Sequence, residues 1–334
     1  MTESERANLT RWRPDHGGGH VESYFLKGNS PDLRHAFWIK FTLLAPRGRP
    51  RAAVAEVWAV VFDRETKAHV AVKETYPAEE AVLAREEMRL RFGPSELGTG
   101  FVRGEATTVD HTVAWDLQFT TRSGPLYPFP FRVMYEAPVP RSKLVSPWPD
   151  ERFDGTLTVN GTTIPVQGWR GMQGHNWGSE HTWRYAWAHC NVWEGDPEDT
   201  FFEGFSGRVK LGPIVTPWLT LVCLRLRGRD IFFRELRHFV NRSVEVGYYR
   251  WGFRAVDDDW SLRGTFEAPR ADIVGLYYVN PYGSTTHCLN SKTARAELVL
   301  ERADGVEEAR LVTAGGAALE LATTDADHGV RMYV

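Results

Sequence analysis

The run GWRGMQGHNWGSEHTWRYAWAHCNVW, residues 168–193, decides how the rest of the chain is read. It carries five of the thirteen tryptophans and three of the eleven histidines. In its first half, glycines at 168, 171, 174 and 178 predict bends, or places where two backbones approach too closely for a side chain. Those turns aim His175, Asn176 and Trp177. From Trp183 onward strict alternation takes over, with Tyr185, Trp187, His189, Asn191 and Trp193 on one face and Ala186, Ala188, Cys190 and Val192 on the other. A period of two means a strand. Its small face suits close packing against a neighbouring sheet, while its large face, rings with hydrogen-bonding tips, reads as the wall of a cavity.

Strand patterns continue on both sides of this run. Phe37, Ile39, Phe41 and Leu43 alternate with Trp38, Lys40 and Thr42; residues 54–62 are strongly apolar; Val113, Trp115, Leu117 and Phe119 share a face. Asn160-Gly161 signals a tight hairpin that sets Leu157 opposite Ile164. Further strands are expected at 200–206, 218–227, 231–236, 244–253, 261–267, 273–279, 294–301 and 307–313. One helix is expected over 77–91, where good helix formers follow Pro77. Many short strands between turn signals predict an all-β chain of sandwiches or barrels. Its 334 residues exceed a usual single core, and seven prolines fall between 125 and 149. We therefore expect an N-terminal β-barrel domain at 20–137, a proline-rich linker at 138–150 and a C-terminal β-barrel domain at 151–334. Each half looks able to close on itself, which suggests duplication.

A net charge of −3 with dispersed basic residues leaves no electrostatic footprint for nucleic acid. No run approaches a membrane span, and the polar first twenty residues lack the apolar core of a secretory signal, so a cytoplasmic location is expected. Three singly placed cysteines, 190, 223 and 288, do not make a disulfide framework. His175, His181 and His189 do not have metal-ligand spacing, and no dinucleotide, phosphate-loop or nucleophile-elbow motif occurs. No metal and no cofactor are expected; the fitting partner is a hydrophobic small molecule.

The residues GMQGHNWG and the strand W-R-Y-A-W-A-H-C-N-V-W resemble the superfamily that joins tocopherol cyclases, carotenoid 1,2-hydratases (hydroxyneurosporene synthases), AttH-like proteins and fungal Diels–Alderases. VESYFLK at 21–27 looks like that superfamily's opening strand, and residues 279–298 like its closing segment. The resemblance implies two lipocalin-like barrels or curled sheets in tandem, with few short helices, and an apolar pocket for an isoprenoid or polyene. Two positions depart from the pattern: Gly174 stands where an acid often precedes the motif, and Ser23-Tyr24 where Gly-Trp is usual.

Such enzymes protonate an alkene, hold a cation against aromatic faces and exclude water. The candidate acids are Glu203, set among phenylalanines in FFEGF, together with His175 and His189. His175 could equally fix its loop, and His189 could be a satisfied core group. Asn176, Trp177, Trp187 and Asn191 are expected to line the pocket, with Tyr277 or Tyr278 closing it. The expected function is cofactor-independent cyclisation, hydration or isomerisation of a terpenoid, polyene or polyketide; the alternative is a carrier of a lipid or pigment.

Overall fold

A computed structural model describes residues 1–15, 17–121, 123–241 and 243–334. Alternation in the sequence becomes two large antiparallel sheets. The first has eleven strands in the spatial order Val70–Pro77, Val54–Asp63, His35–Ala45, His20–Asn29, Thr162–Gly178, Ser142–Val159, Thr112–Thr121, Phe101–Thr107, Ser95–Gly98, Arg89–Phe92 and Val82–Leu83. The second runs Arg229–Phe233, Leu219–Leu226, Phe201–Arg208, Arg184–Cys190, Glu307–Thr323, Thr285–Arg302, Trp260–Glu267, Arg250–Val256 and Val244–Val246, with Val274–Val279 also paired to Thr285–Arg302. The helical content is slight, a short α-helix at Glu3–Ala7 and single 3-10 turns. Among the described residues no helix is long and apolar enough to cross a membrane.

The two sheets share one connection pattern. In each, the opening strand pairs with the last strand of a long hairpin: His20–Asn29 with Thr162–Gly178, and Arg184–Cys190 with Glu307–Thr323. The first long hairpin turns at Asn160-Gly161, both with positive φ, and places Leu157 opposite Ile164 as the dipeptide predicts.

Two expectations about local structure are corrected. Residues 142–159 are a strand bonded on both sides rather than part of a linker, so the HNWG motif lies in the first sheet and the chain changes sheet between Gly178 and Arg184. Pro147 and Pro149 fall where the register shifts, between Val145 and Trp148 and between Trp148 and Glu151. A bulge spares the ladder hydrogen bond that proline cannot donate. The expected helix at 77–91 is a 3-10 turn, Ala78–Glu80, followed by two short strands. In Arg89–Phe92, Leu90 and Phe92 are buried while the arginines are exposed; period two wins over helix propensity.

Many strands are buried on both faces because the sheets pack against each other. Phe37, Ile39 and Phe41 fill the interior of the first sheet, while Trp38 on the alternate face joins Phe25, Trp58, Trp187 and Tyr278 between the sheets. Ala186, Ala188 and Cys190 face the interior of the second sheet, where their small size leaves room for Phe202, Trp251 and Phe266. Each such ring, fully buried, is worth roughly 2–3 kcal/mol of transfer free energy.

Candidate functional site between the sheets

A cavity of about 910 Å³ opens between the sheets. Its aromatic wall includes Phe25 and Trp38 from the first sheet and Tyr185, Trp187, Phe205 and Tyr278 from the second. Asn176, Lys40, His181, Asn280 and Glu320 bring polar groups to it. That volume is of the order that holds a drug-sized apolar molecule.

Of the residues expected to form the site, Trp187, Asn176 and Tyr278 line this cavity. Alternation explains the selection at the motif. Met172, Gly174 and Asn176 look toward the second sheet, while His175 and Trp177 turn to the other side. His175 stacks on Tyr24 with ring centroids 4.2 Å apart and lies under the N-terminal segment. Its Nδ1 is 3.0 Å from the Ala7 carbonyl oxygen and its Nε2 2.9 Å from a Glu22 carboxylate oxygen. Both neighbours are acceptors, so the ring satisfies them only with a proton on each nitrogen. Trp177 packs with Ala7, Tyr135 and Val145. This end of the motif is a fastening for residues 7–12.

Glu22 completes that fastening. It accepts from the backbone N–H groups of Arg11 and Trp12 at 2.8 Å each, from Tyr24 Oη at 2.6 Å, and from His20 and His175 at 2.9 Å. Burial pushes its carboxyl up, but hydrogen bonds from His175 and His20 and their charges outweigh this and hold it well below the usual carboxylate range.

His189, Asn191 and Glu203 are buried beside the cavity rather than in its wall. His189 donates from Nε2 to the Pro149 carbonyl oxygen at 2.8 Å, and burial followed by the charge of Lys27 drives its pKa far down, so the ring is neutral. Asn191 is fully engaged: its carbonyl oxygen takes Lys27 at 3.2 Å, and its amide donates to Asp150 and to the Gly171 carbonyl oxygen at 2.7 Å each. These bonds tie one sheet to the other. Glu203 stands behind Trp187, with Oε1 accepting from the indole N–H at 3.1 Å and from Ser146 at 2.8 Å. Burial raises its pKa to about 7 against those two hydrogen bonds, and among the described residues Oε2 has no partner. Tyr277 points to solvent, 42% exposed, and does not close the cavity; its neighbour Tyr278 does the lining, as strand alternation requires.

Sequence reasoning missed the charged part of the wall. Glu320 accepts from Lys292 Nζ at 2.7 Å and from Asn290 at 3.3 Å, and its other oxygen faces Cys288 Sγ at 3.7 Å. Lys292 lies 5.5 Å from the ring centroids of both Trp38 and Trp187. The phenols of Tyr185 and Tyr278 are pushed well above their ordinary pKa, first by burial and then by the nearby Glu320 charge, and remain donors. His181 stacks near Tyr278 at 5.1 Å; burial and the charge of Lys40 lower its pKa to about 3. The available signal was lysine within F-W-I-K-F and glutamate within A-L-E-L-A, each on an otherwise apolar strand.

Position 174 has a steric account. Phe25 pairs with Gly174 across the sheet, and a Cβ on residue 174 would lie 2.3 Å from the Phe25 ring. Phe25 fills the space that an acidic side chain there would need.

The architecture defines a class, two tandem curled β-sheets with a ligand-sized cavity between them, the fold that the motif's resemblance implies. Solved structures share this fold: a putative AttH from Nitrosomonas europaea (TM-score 0.53, 14% identity, covering 94% of this chain and 96% of that one). Kievitone hydratase from Nectria haematococca gives TM-score 0.52 at 8% identity over 92% of this chain and 89% of that one. CghA gives 0.51 at 11% identity over 96% and 95%. In sequence, the chain is 26% identical over 304 residues to uncharacterized proteins from two strains of Mycobacterium tuberculosis, covering 89% of this chain and 86% of theirs. No family model matches.

Proposed function

We propose that this chain is a cofactor-independent enzyme that takes a hydrophobic terpenoid, polyene or polyketide into the inter-sheet cavity and cyclises, hydrates or isomerises it. The observation that carries the reading is the cavity itself: rings from both sheets stand in its wall, with Glu320 as a carboxylate reaching its surface. Phe25, Tyr185 and Phe205 offer ring faces to a developing cation. Glu320 takes or returns the proton, and the two phenols donate hydrogen bonds to an oxygen on the guest. Glu203 acts through Trp187, whose indole it orients. The fold shared with kievitone hydratase is consistent with this chemistry. Incubation with a panel of polyenes and prenylated phenols tests the reading: a new isomer or hydrated product that Glu320→Gln abolishes supports it, and unchanged recovery of every compound refutes it.

One observation favours the carrier reading as the second choice. Glu320 already has protein donors on both oxygens, Lys292 and Asn290 on one and Cys288 on the other. Stoichiometric binding with no conversion, unaltered in Glu320→Gln, would select it.

A further inference from the structure

Among the described residues, buried lysines have partners, with one exception. Lys27 bonds to Asn29 and Asn191 at 3.1 and 3.2 Å, Lys292 to Glu320 at 2.7 Å, and Lys143 to the Pro140 carbonyl oxygen at 2.5 Å. Partly buried Lys73 pairs with Glu56 at 2.6 Å. Lys40 is only 3% exposed and lines the cavity, yet among the described residues its Nζ has neither a hydrogen bond nor a carboxylate partner. It sits over rings instead, 3.8 Å from the Tyr278 centroid and 5.6 and 5.7 Å from those of Trp38 and Trp58. The sheet register places it there, between Phe25 and Trp58 on the adjoining strands.

We propose that Lys40 is a nucleophilic amine that condenses with the carbonyl group of an apolar aldehyde or ketone held in the cavity. The proposal rests on the reading above that the cavity admits an apolar guest. Ring faces stabilise an ammonium less than a carboxylate would, and an amine without a hydrogen-bond acceptor is free to approach a guest. Desolvation lowers the Lys40 pKa to about 8, against the charges of Glu320 and Glu56 and with that of Lys73. About a tenth of it is then free amine at pH 7. The Nζ lone pair adds to the carbonyl carbon, one N–H proton passes to the oxygen, the hydroxyl so formed borrows a second proton from solvent and leaves as water, and the nitrogen returns that proton by giving up its remaining N–H. One imine forms and one water is released, without change of oxidation state.

The test uses decanal, with decanol as an analogue that has no carbonyl group. Wild-type protein is treated with decanal and cyanoborohydride, which reduces the imine to a stable secondary amine, and the modified lysine is found by peptide mass mapping. Decanol binding is followed separately by tryptophan fluorescence. The expected result is an adduct on Lys40 exceeding that on any other lysine by at least about tenfold, with a labelling midpoint near pH 8. Lys40→Arg and Lys40→Met, checked for native unfolding transitions, should lose the adduct and keep decanol binding. Labelling spread evenly over the lysines, or a Lys40 midpoint near that of a surface amine, overturns the proposal whatever the variants do. If decanol binds while Lys40 stays unmodified, the imine alone is refuted; if neither compound enters, the cavity reading falls with it.

Discussion

Replacing Glu22 by glutamine should unfasten the N-terminal segment and cost about 3–5 kcal/mol, the usual loss when one member of a buried, hydrogen-bonded charge pair is neutralised. The arithmetic of donors explains the size. One carboxylate oxygen serves Arg11, Tyr24 and His175, and the other serves Thr10, Trp12 and His20. An amide NH₂ in either place meets donors with donors, so whichever way the glutamine turns it leaves one set unmade and the His175 charge uncompensated. Urea unfolding measures the loss, and hydrogen exchange at the Arg11 and Trp12 amides locates it. The sign with pH follows from the lowered Glu22 pKa. Its stabilisation is complete above the unfolded value of 4.5 and is lost as pH falls through the lower folded value. Wild-type protein should therefore lose stability on acidification below about pH 4.5, and Glu22→Gln should lose less in that window. A cost below about 1 kcal/mol, or unchanged exchange at Arg11 and Trp12, would refute the fastening.

Glu203→Gln removes an acid whose pKa burial has raised to about 7. A raised acid loses stability as pH climbs from its unfolded value to its folded one, so wild-type stability should fall by about 3 kcal/mol between about pH 4.5 and 7 while the glutamine variant stays flat, as denaturation at paired pH values will show. Gly174→Ala should cost about 1–3 kcal/mol by driving a Cβ into Phe25, and shortening Phe25 in a double variant should recover part of it, so that thermal unfolding gives less than the sum of the single losses. Once a converted substrate is found, Glu320→Gln should lower kcat by roughly a hundredfold or more, and Glu203→Gln by only a few-fold.

Much of the architecture was legible because period-two alternation is a backbone property and survives tertiary context. The strand at Arg184–Cys190 follows from it, the Asn160-Gly161 hairpin follows from its turn residues, and the tandem two-sheet plan came from the motif's resemblance. Prolines misled the reading at 142–159, since a sequence does not show that a bulge will absorb them. The site was legible in part. Alternation put Trp187, His189 and Asn191 on one face correctly, but that face meets the first sheet along its length, and only Trp187 of the three reaches open space. Where the cavity ends depends on which residues of a distant strand press against which, and Lys27 and Pro149 close it over Asn191 and His189. The same long-range pairing brought in Lys40 and Glu320, far from the motif in sequence and unremarkable within their own strands.

The account stands on the space between the sheets, and isothermal titration with an apolar polyene measures it most directly. Binding of one molecule per chain, with a negative heat-capacity change and loss of binding in Leu144→Trp, where an indole is built into the cavity wall while urea stability is retained, is the predicted result. Undetectable binding to the wild type, or equal affinity in the filled variant, would contradict it.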